Sequence, residues 1–181
     1  LNNYLITNTI EILGNTTPGT PAGKSWSKES ESYQKAFDLL FKCVVYTTSL
    51  IVPQMQKNKW GRIINVTSVS VKEPLNYLVL SNSIRSAVVA WAKSLSVDIG
   101  KEGITINSIL TGYFDTERIK ELNKEKSKSL NISEDEVLEK MKSLVPVNRL
   151  GKIDEYGYLV SFLSSDKAAY INGASIPIDG G

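Results

Sequence analysis

The sequence predicts an α/β fold in which helices cover a parallel sheet. Apolar segments of strand length alternate along the chain with segments long enough to form crossover helices. The segment 62–67 is apolar on both faces, as expected of a parallel strand covered by helices on each side. With 181 residues, 41% of them hydrophobic and 22% charged, the chain has the size and composition of one globular domain, residues 1–181.

The first half of the chain is expected to contain two strands and two long helices. A short β-prone run at 9–13 stops at a loop rich in glycine and proline. Apolar residues at three- and four-residue spacing predict a helix over 30–55. The buried strand 62–67 follows, and a second apolar stripe predicts a helix over 78–99 that ends at two nearby glycines.

The second half adds two strands, a segment of mixed charge and a final helix. Residues 104–110 are expected to form the third buried strand. Residues 115–144 are expected to form a lid of two short amphipathic helices, the second of which begins after Ser133 as its N-cap and carries acids in its first turn. A helix over 154–164 and a short strand over 174–178 complete the chain.

Residue counts exclude whole classes of site. The chain contains no histidine, so a Ser-His-Asp triad, a Cys-His pair and a histidine-ligated metal site are impossible within it, and no metal site is predicted. Cys43 is the only cysteine, so no internal disulfide forms. Because Cys43 lies in an apolar helical stretch, we expect a buried structural thiol and not a nucleophile.

Charge and hydropathy favour neither nucleic acid nor a membrane as a partner. The formal net charge is +2, and no block of lysine and arginine is dense. Acids and bases alternate through 120–142, which indicates a solvated helical surface. We expect no apolar stretch near the ~18 residues that span a bilayer, and no charged-then-apolar signal segment begins at Leu1. The sequence therefore predicts a cytoplasmic protein.

Several short motifs follow one another in an informative order. They are GRIINVTS (61–68), SNSIR (81–85, beginning thirteen residues after Ser68), GITINSILTG (103–112), YING (170–173) and DGG (179–181). Over residues 11–181 this order resembles the carboxy-terminal two-thirds of a short-chain dehydrogenase/reductase. The resemblance implies a doubly wound, Rossmann-like parallel sheet.

The amino-terminal part of that fold is not found in the sequence. A dinucleotide-binding fold of this type begins with a strand and a Gly-rich turn that seats the pyrophosphate on a helix N-terminus, and nothing before Gly14 supplies them. In the family, the segment matching 1–13 lies at the end of the third crossover and the fourth strand. We therefore expect the first three strands to belong to a longer chain. The alternative, a fragment, would expose an unpaired sheet edge and a broad apolar face.

The resemblance implies a carbonyl site with altered side chains. Ser68 would hold the substrate oxygen. Ser81 stands where the family has its catalytic tyrosine and Arg85 where it has a lysine. Leu40 stands where the family has an asparagine that supports a proton-relay water. A serine hydroxyl is shorter than a phenol and a much weaker acid, whereas arginine keeps a cation one helical turn away that can hold a ribose hydroxyl or a phosphate. The alternative for Ser81 and Arg85 is a surface pair with no role.

Two tyrosines are candidates for the missing acid. Tyr77 precedes Ser81 by one helical turn, and Tyr113 follows the third buried strand in a loop that touches substrate in the family. The alternative for each is an amphipathic tyrosine at the edge of a loop.

The cofactor implied by the resemblance is NAD or NADP. Asn15 begins the sequence Asn-Thr-Thr-Pro, in the place of a family loop that packs beside the adenosine. Thr111 and Gly112 take the place of a Pro-Gly pair. With Arg85 and Thr116 they form the expected cofactor-binding set.

The implied function is an NAD(P)-dependent oxidoreductase that reduces a small-molecule carbonyl or oxidises an alcohol, similar to 3-oxoacyl-carrier-protein reductases and sugar dehydrogenases. The alternative is a catalytically lapsed homologue that binds a nucleotide or a partner subunit. A Thr-Gly-x-x-x-Gly-x-Gly sequence upstream of Leu1 would favour cofactor binding. In the family, the helices matching 30–55 and 78–99 pair across a two-fold axis, so a homodimer or homotetramer is expected.

Overall fold

A computed structural model describes residues 8–181, apart from the side chains of Ser27 and Arg118, so residues 1–7 of the expected domain lie outside the described residues. Four parallel strands form one sheet in the order β1-β2-β3-β4. The strands are β1 (Ile12–Asn15), β2 (Gly61–Ser68), β3 (Ile104–Thr111) and β4 (Ser175–Ile178). This arrangement confirms the predicted α/β class with a parallel sheet.

Helices cover both faces of the sheet. They are α1 (Ser30–Asn58), α2 (Val79–Ile99), α3 (Glu117–Leu130), α4 (Glu134–Ser143) and α5 (Ile153–Leu163), joined by shorter helical turns. On one face, α1 and α2 pack on the buried side chains of Ile63 and Ile106. On the other face, α5 packs on Ile64 and Ile109. These two covered faces explain why β2 and β3 are buried along nearly their whole length and carry apolar residues on both sides.

The register of β2 and β3 brings their carboxyl ends together. The two strands pair over their full length, and Ser68 is the cross-strand partner of Thr111. The strand β1 runs to Asn15, two residues beyond the predicted run, because the backbone at Gly14 and Asn15 still pairs with β2. The glycine and proline loop therefore begins at the sheet edge where β2 and β3 end.

Helix α1 differs from its prediction in four ways. It continues to Asn58 through Pro53, and it contains a π-helical turn at Asp38–Lys42. The expectation that no segment is long and apolar enough to cross a membrane is wrong, because Ser30–Asn58 meets both criteria; core helices of soluble proteins commonly do so too. Cys43 is exposed and not buried, since it lies on the side of α1 that faces away from the sheet.

The lid, residues 115–144, contains the two predicted helices α3 and α4. Ser133 caps α4 as expected: its Oγ accepts from the backbone N–H of Glu136 (3.1 Å), and the Glu136 carboxylate accepts from the backbone N–H of Ser133 (2.9 Å). This reciprocal pair is a capping box. The lid follows the carboxyl end of β3, so it borders the edge of the sheet at which β2 and β3 end.

Candidate active site

The candidate site is built on the carboxyl ends of β2 and β3. Both strands end in a hydroxyl-bearing residue, Ser68 and Thr111, and the two are direct cross-strand partners. In open parallel α/β sheets, ligands bind at this edge because the loops diverge there. The sequence thus places two hydroxyls side by side where a ligand is expected.

Arg85 of α2 is the cation of the site. Its residue surface is only 8% exposed. Nε donates to Ser81 Oγ (3.2 Å), and Nη1 donates to the carbonyl of Val66 (3.0 Å). Nη2 donates to the carbonyls of Thr17 (3.2 Å) and Pro18 (3.1 Å). The guanidinium therefore connects α2, β2 and the loop after β1.

The charge of Arg85 is not neutralised by an acid among the residues that the structure describes. Burial lowers the pKa of Arg85, and the group that acts on it electrostatically is the phenol of Tyr156. A guanidinium nevertheless stays protonated in proteins. The site thus contains a buried positive charge surrounded by neutral acceptors.

Ser81 and Ser68 offer hydroxyls to this site. Ser81 is buried one helical turn from Arg85, and its Oγ accepts the Nε hydrogen bond. Ser68 Oγ accepts from the backbone N–H of Ser70 at 3.2 Å. Within the described residues neither hydroxyl is seen to donate a hydrogen bond, so both protons are available to a ligand oxygen.

The two tyrosines predicted as candidate acids lie together. Burial raises the pKa of Tyr113. The charge of Tyr77 and a hydrogen bond with its phenol raise this pKa further. Tyr77 is about half exposed, at 51%, whereas Tyr113 is half-buried. The structure therefore brings the two phenols into one pair beside Gly112, and their catalytic role stays a prediction.

Tyr156 of α5 is a site residue that the sequence analysis missed. Its hydroxyl lies 3.1 Å from Thr111 Oγ1, and its ring contacts Phe114 edge to face, with centroids 5.3 Å apart. Burial raises the pKa of Tyr156, while the Thr111 hydrogen bond and the charge of Arg85 act in the opposite direction. The signal in the sequence was a tyrosine within the aliphatic stripe of α5.

Asn15 is buried at the end of β1. Its Nδ2 donates to Asn65 Oδ1 (2.9 Å) and to Thr48 Oγ1 (3.2 Å). These bonds connect β1 with β2 and α1, and they fix the start of the loop whose carbonyls accept from Arg85. Asn15 is thus connected to the site through its loop, and its contact with a cofactor stays a prediction.

Gly112 and Thr116 shape the chain after β3. A Cβ on Gly112 would lie 2.6 Å from Cα of Asp179, so a larger residue cannot occupy this close approach without moving the backbone. Thr116 is the N-cap of α3, and its Oγ1 accepts from the backbone N–H of Ile119 at 3.4 Å. Both residues position the lid, and their cofactor contacts stay predictions.

Leu40 lies in the π-helical turn of α1, where it is 1% exposed. A buried aliphatic side chain cannot hold a water or relay a proton. The asparagine function implied by the resemblance is therefore absent at this position.

A cleft of about 460 Å³ opens beside these groups. Val69 and Gly112 line it from the strand ends, Tyr113 from the following loop, and Leu144 and Val145 from the end of the lid. Its walls are mainly apolar, with Lys72, Glu73 and Asp179 as charged members. A pocket of this size accommodates a small organic substrate.

Comparisons with known proteins agree with this architecture. A family model described as enoyl-(acyl carrier protein) reductase matches residues 7–181. Dehydrogenase/reductase SDR family member 4 of Oryctolagus cuniculus is 30% identical over 173 residues, which are 95% of this chain and 63% of that protein. The 3-oxoacyl-[acyl-carrier-protein] reductase FabG of Buchnera aphidicola subsp. Schizaphis graminum is 28% identical over 176 residues, 95% of this chain and 66% of that one. The chain therefore spans slightly less than two thirds of the length of these curated relatives.

Solved structures share the fold. The NADPH-dependent reductase YwfH, involved in bacilysin biosynthesis, superposes with a TM-score of 0.91 at 24% identity, over 99% of this chain and 69% of that one. The L-sorbose reductase of Gluconobacter frateurii, solved with NADPH and L-sorbose, superposes with a TM-score of 0.92 at 24% identity, over 98% and 68%. At these identities the likeness establishes the fold alone.

The family model extends over nearly the whole described chain, and the strand order, the aligned strand ends and the motif order all agree with it. The chain therefore belongs to the short-chain dehydrogenase/reductase family.

Proposed function

We propose that this protein is an NAD(P)-dependent oxidoreductase that reduces a small carbonyl compound or oxidises the corresponding alcohol. The observation that carries the proposal is the group of Ser68, Thr111 and Arg85 at the strand ends, beside an apolar cleft. Relatives named as reductases of 3-oxoacyl-carrier-protein and of L-sorbose support the reaction class. When bound, the nicotinamide supplies or accepts the hydride.

The residues present fit a nicotinamide ribose. Four of the five N–H groups of Arg85 are used by acceptors among the described residues, which leaves one Nη1 proton. The hydroxyl protons of Ser68 and Ser81 are also available. Arg85 would hold a ribose hydroxyl, and Thr111 and Gly112 would border the nicotinamide. Ser68 would donate to the substrate oxygen.

A catalytically lapsed nucleotide-binding protein is the second candidate. Leu40 and Ser81 favour it, because neither can perform the proton transfer expected at its position. The two candidates differ in one measurable property, the oxidation of NADH or NADPH by a carbonyl compound.

We also propose that the protein self-associates as a homodimer or a tetramer of such dimers, in the cytoplasm. The outer side of α1 exposes Leu39 and Tyr46, at 45% and 58%, and it includes Cys43. A helix that is apolar on more than one side is usually buried on more than one side. A second copy of the chain would cover this surface. The free thiol fits a reducing compartment.

The reaction is tested with full-length protein, a panel of short 3-oxoacyl thioesters and ketoses, and either NADH or NADPH. Ultraviolet absorbance follows consumption of the reduced cofactor. We expect turnover with at least one compound, and Ser68→Ala should lower kcat about 100-fold, because it removes a donor to the developing oxyanion. Ser94→Ala is the control, since Ser94 is an exposed serine of α2. Nucleotide binding without turnover by any compound would favour the lapsed homologue.

A further inference from the structure

We propose that Tyr156 is the proton donor of this site, with Arg85 as the cation that stabilises its tyrosinate. The proposal rests on the proposed carbonyl chemistry. It assigns the acid to α5, on the opposite face of the sheet from the helix that carries Ser81.

The position of the phenol is set by the sheet register. Tyr156 Oη lies 3.1 Å from Thr111 Oγ1. Thr111 is the direct cross-strand partner of Ser68, and side chains of paired parallel residues point to the same face. Ser68, Thr111 and Tyr156 therefore place three hydroxyls along one edge, on the face covered by α5.

A cation reaches the same edge from α2. Arg85 Nη1 donates to the carbonyl of Val66, two residues before Ser68 on β2. Arg85 acts electrostatically on Tyr156 from this position and opposes the effect of burial on the pKa of the phenol. Since no carboxylate among the described residues is paired with the guanidinium, its field is available to a developing phenolate.

The other two tyrosines lack these features. Tyr77 and Tyr113 are hydrogen-bonded to each other, and the pKa of Tyr113 is raised by burial and by Tyr77 with no cation opposing it. Tyr156 thus differs from Tyr113 in having a cation, Arg85, that acts on its phenol. The nearby cation distinguishes Tyr156 from Tyr77 and Tyr113, the two candidates that sequence position alone suggests.

The reaction balances with these groups. In carbonyl reduction, the bound NAD(P)H would supply a hydride to the carbonyl carbon, and the carbon–oxygen π electrons would move to the oxygen. That oxygen takes the phenolic proton of Tyr156 and becomes the alcohol. The tyrosinate that remains would be stabilised by the charge of Arg85 and reprotonated from solvent, with the Thr111 hydroxyl as its first hydrogen-bond partner.

The kinetic test compares Tyr156→Phe with Tyr158→Phe in full-length protein. Tyr158 is the matched control because it lies on the same helix and is 72% exposed. Loss of a general acid typically costs 10²–10⁴-fold, so Tyr156→Phe should lower kcat by about 100-fold or more with unchanged NADPH affinity. Tyr158→Phe should match the unsubstituted protein. If Tyr156 had only a structural role, Tyr156→Phe would lower thermal stability and leave kcat and its pH profile unchanged.

A cofactor-free measurement tests the electrostatic part. Isotope-labelled tyrosine NMR, with the Tyr156 signal assigned by its loss in Tyr156→Phe, follows the phenol titration. Arg85 of α2 and Thr111 of β3 are the groups that act on the phenol of Tyr156 by charge or by a hydrogen bond. Glu155 precedes Tyr156 on α5, but its carboxylate pairs with Arg149. Arg85→Gln should raise the pKa of Tyr156, and Arg85→Lys should restore it.

The outcomes separate the two proposals. If the unsubstituted protein oxidises neither NADH nor NADPH with any compound of the panel, the proposed function fails and the proton-donor role falls with it. If it turns over and Tyr156→Phe keeps full kcat, the function stands and Tyr156 is overturned. An unmoved titration in Arg85→Gln overturns the role of Arg85.

Discussion

Arg85 determines how the site is held together at the scale of single residues. Its guanidinium fixes the carbonyls of Thr17 and Pro18 next to β2, so it is a positioning residue as well as a candidate ligand for the ribose. Ser81 Oγ accepts one of the hydrogen bonds of Arg85, and no other side-chain hydrogen bond of Ser81 is seen among the described residues. The two residues are adjacent, yet their substitutions should have different effects.

Arg85→Ala should lower nucleotide affinity by about 1.5–3 kcal/mol, the usual scale for hydrogen bonds to charged groups. Ser81→Ala should leave affinity nearly unchanged, because Arg85 keeps its three carbonyl acceptors. Isothermal titration of NADPH into each full-length variant measures both. Unchanged affinity in Arg85→Ala would show that this residue does not contribute to the nucleotide site.

The sequence predicts the positions of Ser68, Ser81 and Arg85 from motif spacing, but not their partners. The carbonyl acceptors of Arg85 lie 19 to 68 residues away along the chain, and only the folded sheet and the loop after β1 bring them close. Tyr156 was missed for a related reason. An amphipathic tyrosine fits an apolar helical stripe, so its hydroxyl becomes informative only once Thr111 is seen beside it.

At the scale of elements, the start of α5 is fixed by an ion pair. Arg149 binds the Glu155 carboxylate with two hydrogen bonds, 2.8 and 2.6 Å long, and the backbone N–H of Lys152 donates a third at 2.8 Å. These bonds lower the pKa of Glu155 from 4.5 to about 2. They also hold the first turn of the helix that carries Tyr156.

The depressed pKa of Glu155 predicts a pH-dependent contribution to stability. Because the folded state favours the carboxylate, the contribution is present above pH 4.5 and is lost as the pH falls towards 2. Glu155→Gln should therefore lower the urea midpoint of unfolding at pH 7. Between pH 4.5 and about 2, the free energy of unfolding should fall less in Glu155→Gln than in the unsubstituted protein. Glu125→Gln, an exposed substitution on α3, is the control. Parallel pH curves for Glu155→Gln and the unsubstituted protein would contradict the assignment.

The lid, residues 115–144, should be the most mobile part of residues 8–181. Of its described side chains, only Asn123, Ser127 and Val137 are buried, and two of these are polar. Few buried apolar contacts give a low free energy of local opening. Hydrogen exchange should be faster in α3 and α4 than in α1 and α2. Slower exchange in the lid than in those two long helices would contradict this expectation.

Element type was predictable from the sequence, and local deviations were not. β2 and β3 are strand-length runs with apolar residues on both faces, and the capping residues around α4 are local, so each has a signature in the chain itself. The π-helical turn in α1 and the extension of β1 to Asn15 depend on packing against α2 and β2. Tertiary contacts of this kind leave no periodic pattern.

At the scale of the whole molecule, the exposed apolar side of α1 is the feature that supports the proposed self-association. Tyr46 is 58% exposed there, and Phe41 contacts Trp91 of α2 edge to face, with centroids 6.2 Å apart, which joins the two helices into one surface. In a symmetric dimer the same patch meets its own copy.

Light scattering of full-length protein at micromolar concentration should therefore give a dimer or a tetramer. Tyr46→Glu should shift the mass towards monomer, because a charge would be buried in the interface. Tyr158→Glu, at a more exposed aromatic residue on α5, should retain at least the dimer. A monomer in the unsubstituted protein would contradict the proposed assembly.

Fluorescence titration of NADH and NADPH into full-length protein tests the central claim most directly. The account predicts saturable binding of at least one of the two, competed by the oxidised form and weakened by Arg85→Ala. The result that would contradict it is the absence of saturable binding for both cofactors in a folded protein. In that case, the strand-end site of Ser68, Thr111 and Arg85 would not be a dinucleotide site.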